Sequence, residues 1–160
     1  MSLPVIRQAE RIDLPQAAQL ACQLWPEHNI SEMLEEMTDA FDWQAVFLAF
    51  LQQQAVGFAQ VSLRRDYVEG TSTSPVGYLE GIFVLPGHRS QGIARQLLGA
   101  CEGWAAAQGC REFASDCELD KDDSLHFHLA SWFAEAGRII CFAKPLTPQS
   151  HPNAQKEHQN

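Results

Sequence analysis

Apolar and polar positions recur along this chain in two rhythms, one of period two and one near 3.6, and their order sketches a fold. Leu3 to Arg7 suits a short first strand. Asp13 then precedes Leu14 and Pro15, a cap residue followed by a first-turn proline. Leu14, Ala17, Ala18, Ala21 and Cys22 fall at helical spacing, and Trp25-Pro26 ends that helix, because the residue before proline avoids the α region. Ser31 is expected to cap a short acidic helix through about Ala40, with Met33, Leu34 and Met37 on one side. Val46 to Leu51 is continuously apolar; three glutamines make a turn, and Ala55 to Leu63 returns as the second arm of a hairpin. The alternation changes parity between Phe58 and Val61, which predicts a bulge or burial on both faces.

A polar loop over residues 65–76 follows, long enough to carry function. Gly77 to Leu85 reads as a strand, and Ile93, Leu97, Cys101 and Trp104 form the stripe of a helix that Gly109 closes. Glu112 to Glu118 is expected to be a strand, Asp123 to Glu135 a helix and Arg138 to Lys144 a last strand. The order β-α-α-β-β-β-α-β-α-β predicts an α/β fold, a mixed sheet with helices on both faces. From Thr147 the chain is polar and aperiodic, so residues 1–146 are expected to form one domain and 147–160 a disordered tail.

Composition narrows the picture. A chain of 160 residues with 46% hydrophobic content suits a single core. The formal charge of −9 argues against nucleic acid, which needs a basic surface to replace counterions. It suits either a cationic partner or simple solubility. Five cysteines, an odd number without a C-x-x-C pair, read as reduced thiols. No apolar run approaches the length of a bilayer span, and M-S-L-P-V-I-R lacks the features of a secretion signal, so a cytoplasmic protein without membrane contact is expected.

The most specific pattern is Y78-L-E-G-I-F-V-L-P-G-H-R-S-Q-G-I-A-R-Q-L-L98. A strand runs into a loop containing Arg89, Gly92 and Ala94, and the loop opens a helix. Free amides at a helix start point at an anion and the dipole supports it. Gly92 and Ala94 keep bulk away, while Arg89 and Arg95 add charge. The chain has no G-K-[ST] and no G-x-G-x-x-G, so neither a nucleotide P-loop nor a dinucleotide fold fits. A glycine-containing turn without a ligand is the plain alternative. R89-S-Q-G92-I-A94 resembles the Q/R-x-x-G-x-G/A motif of the GNAT superfamily of N-acetyltransferases. The resemblance implies a mixed, mostly antiparallel sheet and acetyl-CoA as co-substrate. It also implies a pyrophosphate held by Arg89, Gly92, Ile93, Ala94 and Arg95, and a pantetheine arm along Ile82, Phe83 and Val84.

Acetyl transfer to an amine needs a neutral amine, a positioned thioester and a proton for the leaving thiolate. Glu80 lies upstream of the loop, and Asp116 and Glu118 are two apart on a predicted strand, so they share a face if the strand stays regular. His126 and His128 sit at i and i+2 of a predicted helix, which does not make a metal site, and no metal is expected. Many GNAT enzymes carry a tyrosine where this chain has His128, which either donates a proton there or packs.

Three segments carry a closer resemblance, to the small aminoglycoside 6′-N-acetyltransferases. They are W25-P-E-H28, the run from Arg64 through Y67-V-E-G-T-S-T-S-P-V-G-Y-L-E80 to Val84, and C110-R-E-F-A-S-D116-C-E118-L. This similarity implies direct transfer to a polycationic aminoglycoside in a ternary complex, acceptor contacts at Trp25, Tyr67, Glu80 and Asp116, and a homodimer joined through C-terminal strands. Asp116 would hold or deprotonate the reacting amine, with Glu80 as a second catalytic candidate. Glu80, Asp116 and Glu118, with Asp66 and Glu69, would line a negative groove. A GNAT enzyme for a polyamine or a protein N-terminus, or a non-catalytic acyl-CoA-binding module, stays open. The chain departs from the family at Trp132, where a glycine is usual, and at Lys121, where an asparagine is.

Overall fold

The computed structural model describes residues 2–146. The elements run β1 (Val5–Gln8), α1 (Leu14–Leu24), α2 (Ile30–Asp39), β2 (Gln44–Leu51), β3 (Gln54–Arg64), β4 (Val76–Val84), α3 (Ile93–Ala107), β5 (Phe113–Ser115) and α4 (Asp122–Ala130). One sheet of order β1-β2-β3-β4-β5 is antiparallel from β1 to β4, and β5 lies parallel to β4. This is the mixed α/β sheet that the element order predicts, mostly antiparallel as the resemblance implies.

The continuous apolar run in β2 follows from burial on both faces. Successive side chains point to opposite sides of a strand. Val46, Leu48 and Phe50 join Leu14 and Leu20 of α1 and Met33 and Met37 of α2 in one core. Ala45, Phe47 and Ala49 join Ile93, Leu97, Leu98 and Cys101 of α3 in the other. The hairpin to β3 turns at Gln52 and Gln53, both at positive φ, as the right-handed twist of a two-residue turn demands. Of the two readings of the parity change, burial on both faces holds: Phe58 enters the α1 core and Ala59 and Val61 the α3 core. A bulge does lie opposite, but on β4: Val61 pairs with Leu79 and Gln60 with Gly81, so the extra residue is Glu80.

Four expectations need correction. Asp13 occupies the position before α1 but does not cap it, because its carboxylate accepts both Arg7 guanidinium nitrogens (2.7 and 3.0 Å) and the Glu10 N–H (2.8 Å). The cap of α2 is Asn29 rather than Ser31: Asn29 Oδ1 accepts from Glu32 N–H at 2.9 Å and the Glu32 carboxylate accepts from Asn29 N–H at 3.3 Å, a reciprocal box. The last helix stops at Ala130 instead of reaching Glu135. Trp132 turns left-handed at φ 65, its N–H bonds Leu129 O at 3.3 Å and the Phe133 N–H bonds His128 O at 3.1 Å, the paired bonds of a Schellman end.

The fourth correction concerns the C-terminal strands. β5 has three residues instead of Glu112–Glu118, and Arg138–Lys144 forms no strand. Ile139, Ile140 and Phe142 are 74, 81 and 90% exposed. An apolar β-prone segment becomes a strand only against an edge that pairs with it, and none among the described residues does. The expected tail over 147–160 lies outside the described residues. Among those residues no helix is long and apolar enough to cross a membrane.

Candidate active site

β4 and β5 run side by side only from the Gly77–Phe113 pair to the Leu79–Ser115 pair. Beyond it β5 ends, while β4 continues through Glu80 to Val84. The two strands therefore form a fork, and β5 leaves the outer edge of β4 open along Ile82, Phe83 and Val84. An extended chain carrying amides can pair with such an edge as an added strand.

At the end of β4 the chain turns toward α3. Arg89 Nε donates to Val84 O at 2.8 Å, which fixes its charge at the strand end. Gly92 stands directly before α3 at φ 80, a conformation that a side chain disfavours, and a Cβ there would meet nothing within 4 Å. The space over the turn is thus open as well as strained for other residues. Gln96 N–H closes the first helical bond onto Gly92 O at 3.1 Å, so Ile93, Ala94 and Arg95 present first-turn amides. Amides and dipole together suit an anion at the mouth of the open edge. Arg95 leans away, donating to Ala130 O at 3.4 Å with its guanidinium 5.9 Å from the Trp132 ring. An open strand edge leading to an anion seat fits coenzyme A, whose pantetheine arm carries amides and ends in a pyrophosphate.

Acidic residues gather on the opposite side of the fork, and a tyrosine that the sequence reading missed organises them. Glu80, projected by the bulge, accepts from Ser62 Oγ at 2.5 Å and from Arg64 Nη2 at 3.0 Å. The Arg64 guanidinium stacks 3.5 Å from the centroid of the Tyr78 ring. Tyr78 in turn donates its hydroxyl to the Asp116 carboxylate. Burial, and then the Asp116 charge it faces, push the Tyr78 phenol upward, so it stays a donor. Its position was legible in principle. Tyr78 is two residues before Glu80, hence on the same face, and a buried tyrosine seeks a partner for its O–H.

The structure distributes the remaining acceptor candidates unevenly. Trp25 is half-buried, edge-on to Phe58 at 6.0 Å, and its ring covers Gly81, where a Cβ would lie 2.5 Å from it. Tyr67 is 81% exposed and donates to Glu69 at 2.7 Å. Asp116 and Glu118 are exposed, but the strand stops at Ser115, so the shared face that a regular strand would give them is not enforced. Asp66 is exposed on the same loop as Tyr67. That loop is not slack: Glu112 accepts from Ser72 N–H, Thr73 N–H and Thr73 Oγ1 at 2.9, 2.8 and 2.5 Å. These bonds hold the Glu112 carboxyl below its usual range, the Thr73 hydroxyl first among them.

On the α3 side of the fork, α4 contributes His128. Its Nδ1 lies 2.6 Å from Ser124 O and its Nε2 2.9 Å from Ser115 Oγ. The ring packs against Phe133 at 5.1 Å and Phe127 at 5.9 Å.

Residues 14–131 match the model of the acetyltransferase (GNAT) family. Aminoglycoside N(6′)-acetyltransferase type 1 of Stenotrophomonas maltophilia is 42% identical over 152 residues, covering 93% of this chain and 98% of its own. Among solved structures, aminoglycoside N-acetyltransferase AAC(6′)-Iy in complex with CoA superposes with a TM-score of 0.87 at 40% identity, over 90% of this chain and 96% of that one. The same enzyme bound to the bisubstrate analogue CoA-S-monomethyl-acetylneamine gives 0.86 at 40% identity, over 90% and 99%. Fork, anion seat, element order and these likenesses agree, and the chain belongs to the GNAT acetyltransferases and, within them, to the type 1 aminoglycoside N(6′)-acetyltransferases.

Proposed function

We propose that this chain moves the acetyl group of acetyl-CoA to the 6′-amine of an aminoglycoside by direct transfer in a ternary complex. The observation that carries the reading is the fork. It offers an open strand edge and anion seat for the coenzyme, and at its apex an exposed carboxylate, Asp116, gripped by Tyr78. Acetyl-CoA supplies the activated acyl group; Ile82, Phe83 and Val84 would line its arm, and Arg89, Gly92, Ile93, Ala94 and Arg95 its pyrophosphate.

Asp116 is the proposed base. The acceptor arrives as an ammonium, and one proton must leave before nitrogen attacks the thioester carbon. Asp116 takes that proton directly or through a water, and the Tyr78 O–H keeps the carboxylate aimed. Glu80 is already engaged by Ser62 and Arg64, so its part is electrostatic, not proton abstraction. Asp66, Glu69 and Glu118 add negative charge that draws a polycation, and Trp25 and Tyr67 offer ring faces to sugar or ammonium groups. A homodimer is part of the proposal: exposed Ile139, Ile140, Phe142 and Leu146 present an apolar segment that a second copy would cover. So is a cytoplasmic location.

The test is product identity. Incubation with acetyl-CoA and kanamycin, followed by mass and NMR analysis, should place one acetyl group on the 6′-nitrogen, with 6′-hydroxyl analogues poor acceptors. Asp116→Asn should lower turnover by about a hundredfold or more, in the range of a lost general base, with acetyl-CoA affinity kept. Acetylation at another amine, or on spermidine or peptide alone, would remove the aminoglycoside assignment.

A further inference from the structure

Ser115 and Asp116 are consecutive residues at the fork apex, and their bonds place their side chains on opposite faces of the sheet. Asp116 meets Tyr78 on the α1 side. Ser115 pairs with Leu79, whose side chain belongs to the α3 core, and meets His128 of α4 there. A transfer reaction run through this fork places the acceptor amine and its base on one face. The departing sulfur is then left to the other face, where, among the described residues, Ser115 and His128 stand together.

The hydrogen-bond pattern around His128 defines what the pair can do. A nitrogen 2.6 Å from the Ser124 carbonyl oxygen must carry a hydrogen, since a carbonyl only accepts, so Nδ1 is the protonated nitrogen in either charge state. The variable proton is therefore on Nε2, 2.9 Å from Ser115 Oγ. With imidazole neutral, the Ser115 O–H donates to Nε2. With imidazolium, Nε2–H donates to Ser115 Oγ, and the serine hydrogen turns outward or to Leu79 O, 3.2 Å away. Both states use the same heavy-atom positions. A pair that changes charge by rotating one hydroxyl passes a proton without reorganising its surroundings. Phe127 and Phe133 hold the ring in this orientation.

We propose that Ser115 and His128 form the proton donor for the leaving thiolate. This assignment rests on the acetyltransferase reading above. As the tetrahedral adduct collapses, the carbon–sulfur bond breaks and its electron pair stays on sulfur. The thiolate takes the Ser115 hydroxyl proton, and Ser115 takes the Nε2 proton of the imidazolium. A neutral imidazole remains, and solvent water reprotonates it before the next turnover. The acceptor ammonium sheds two protons in becoming an amide. Asp116 takes the first before attack and passes it to solvent, then takes the second from the adduct nitrogen as the carbon–sulfur bond breaks. Removal of protons from nitrogen and protonation of sulfur therefore do not share a group.

The experiment compares wild type with His128→Gln, Ser115→Ala, the double variant and Ser115→Thr. Gln keeps a hydrogen-bonding group near Nε2 but cannot relay a proton, and Thr keeps the hydroxyl. Single-turnover rates with acetyl-CoA and kanamycin should fall about a hundredfold in His128→Gln and in Ser115→Ala, the range of a lost general acid. The double variant should be no slower than either single change, because residues that act as a unit are not additive. Ser115→Thr should stay within about threefold of wild type on that same scale. Acetyl-CoA affinity by calorimetry should be unchanged. The deciding readout replaces acetyl-CoA with two truncated donors, S-acetyl-N-acetylcysteamine and phenyl thioacetate. An aryl thiolate departs without protonation, so the loss in His128→Gln should persist with the alkyl donor and shrink below about threefold with the aryl one. An equal loss with both donors, or a parallel loss of acetyl-CoA affinity, would show a purely structural tether and overturn the assignment. A wild type that transfers nothing to kanamycin overturns the acetyltransferase reading and this assignment with it; an active wild type with unimpaired variants overturns this assignment alone.

Discussion

Gly77→Ala is a one-methyl change whose cost follows from what surrounds the missing Cβ. Gly77 lies in β4 opposite Leu63 of β3 and Phe113 of β5. A Cβ there would stand 2.5 Å from Ala105 Cβ and 2.7 Å from Phe113 Cδ2. Ordinary carbon contacts lie at about 3.5–4.0 Å, so roughly 1 Å must be found. Ala105 is 2% exposed, and its Cβ is rigid to the α3 backbone, so the helix itself has to rise off the sheet. Overpacking of this kind costs about 1–3 kcal/mol, and an obstacle that cannot rotate puts this site at the upper end, about 3 kcal/mol. For a chain of this size each kcal/mol moves Tm by about 2–4 °C, so Tm should fall by about 6–12 °C. Gly81→Ala provides the contrast. Its Cβ would also lie 2.5 Å from a neighbour, but that neighbour is the tip of the half-buried Trp25 ring, which can swing outward. The expected cost is about 1 kcal/mol, with a raised acceptor KM as Trp25 leaves its place. Ala105→Gly alone should cost about 1 kcal/mol of helix propensity. Combined with Gly77→Ala it should restore the space, giving a coupling of about 2 kcal/mol in a double-mutant cycle read by chemical denaturation. A Gly77→Ala protein as stable as the Gly81→Ala one, or a cycle with no coupling, would refute the packing argument.

Other outcomes follow from the same geometry. Gly92→Val forces a β-branched residue to φ 80 and crowds the anion seat; acetyl-CoA Kd by calorimetry should rise at least about tenfold, with a folding cost of about 1–2 kcal/mol. Arg7, and then the Glu10 N–H, hold the Asp13 carboxyl below its ordinary value of 3.8. Its stabilising contribution is therefore complete above about pH 4 and lost as pH falls through the lowered value, so acid titration should erase the advantage of wild type over Asp13→Asn. Tyr78→Phe removes the hydrogen bond to Asp116 and should lower kcat about tenfold, the scale of one charge-assisted bond, while the acceptor KM moves little. If charge draws the acceptor, KM for kanamycin should rise between about 0.05 and 0.5 M salt, where exposed attractions become screened.

What the sequence determined by itself is most of the elements and the turn that opens α3. Periodicity and burial are local consequences of side-chain chemistry, so the β2 run, the α3 stripe and the hairpin turn were readable. The turn that opens α3 was readable because Arg89, Gly92 and Ala94 lie within a few residues that a single helix start organises. The parity change between Phe58 and Val61 reflected burial on both faces of β3, while the bulge at Glu80 on β4 emerged only from the pairing. Tertiary structure decided the rest, because it depends on which distant groups meet. Asp13 looked like a cap, but Arg7 on the neighbouring strand offered a stronger partner than a helix amide. Asp116 and Glu118 looked paired until the strand ended between Leu79's partner and the next residue, separating their fates. Tyr78, Arg64 and Glu112 lay inside the quoted segments without a role assigned to them; they matter because β3, β4 and the loop over 65–76 bring hydroxyl, guanidinium and carboxylate together. The segment from Arg138 to Lys144 has the composition of a strand and no partner among the described residues, since a pattern specifies a face while pairing needs a second edge.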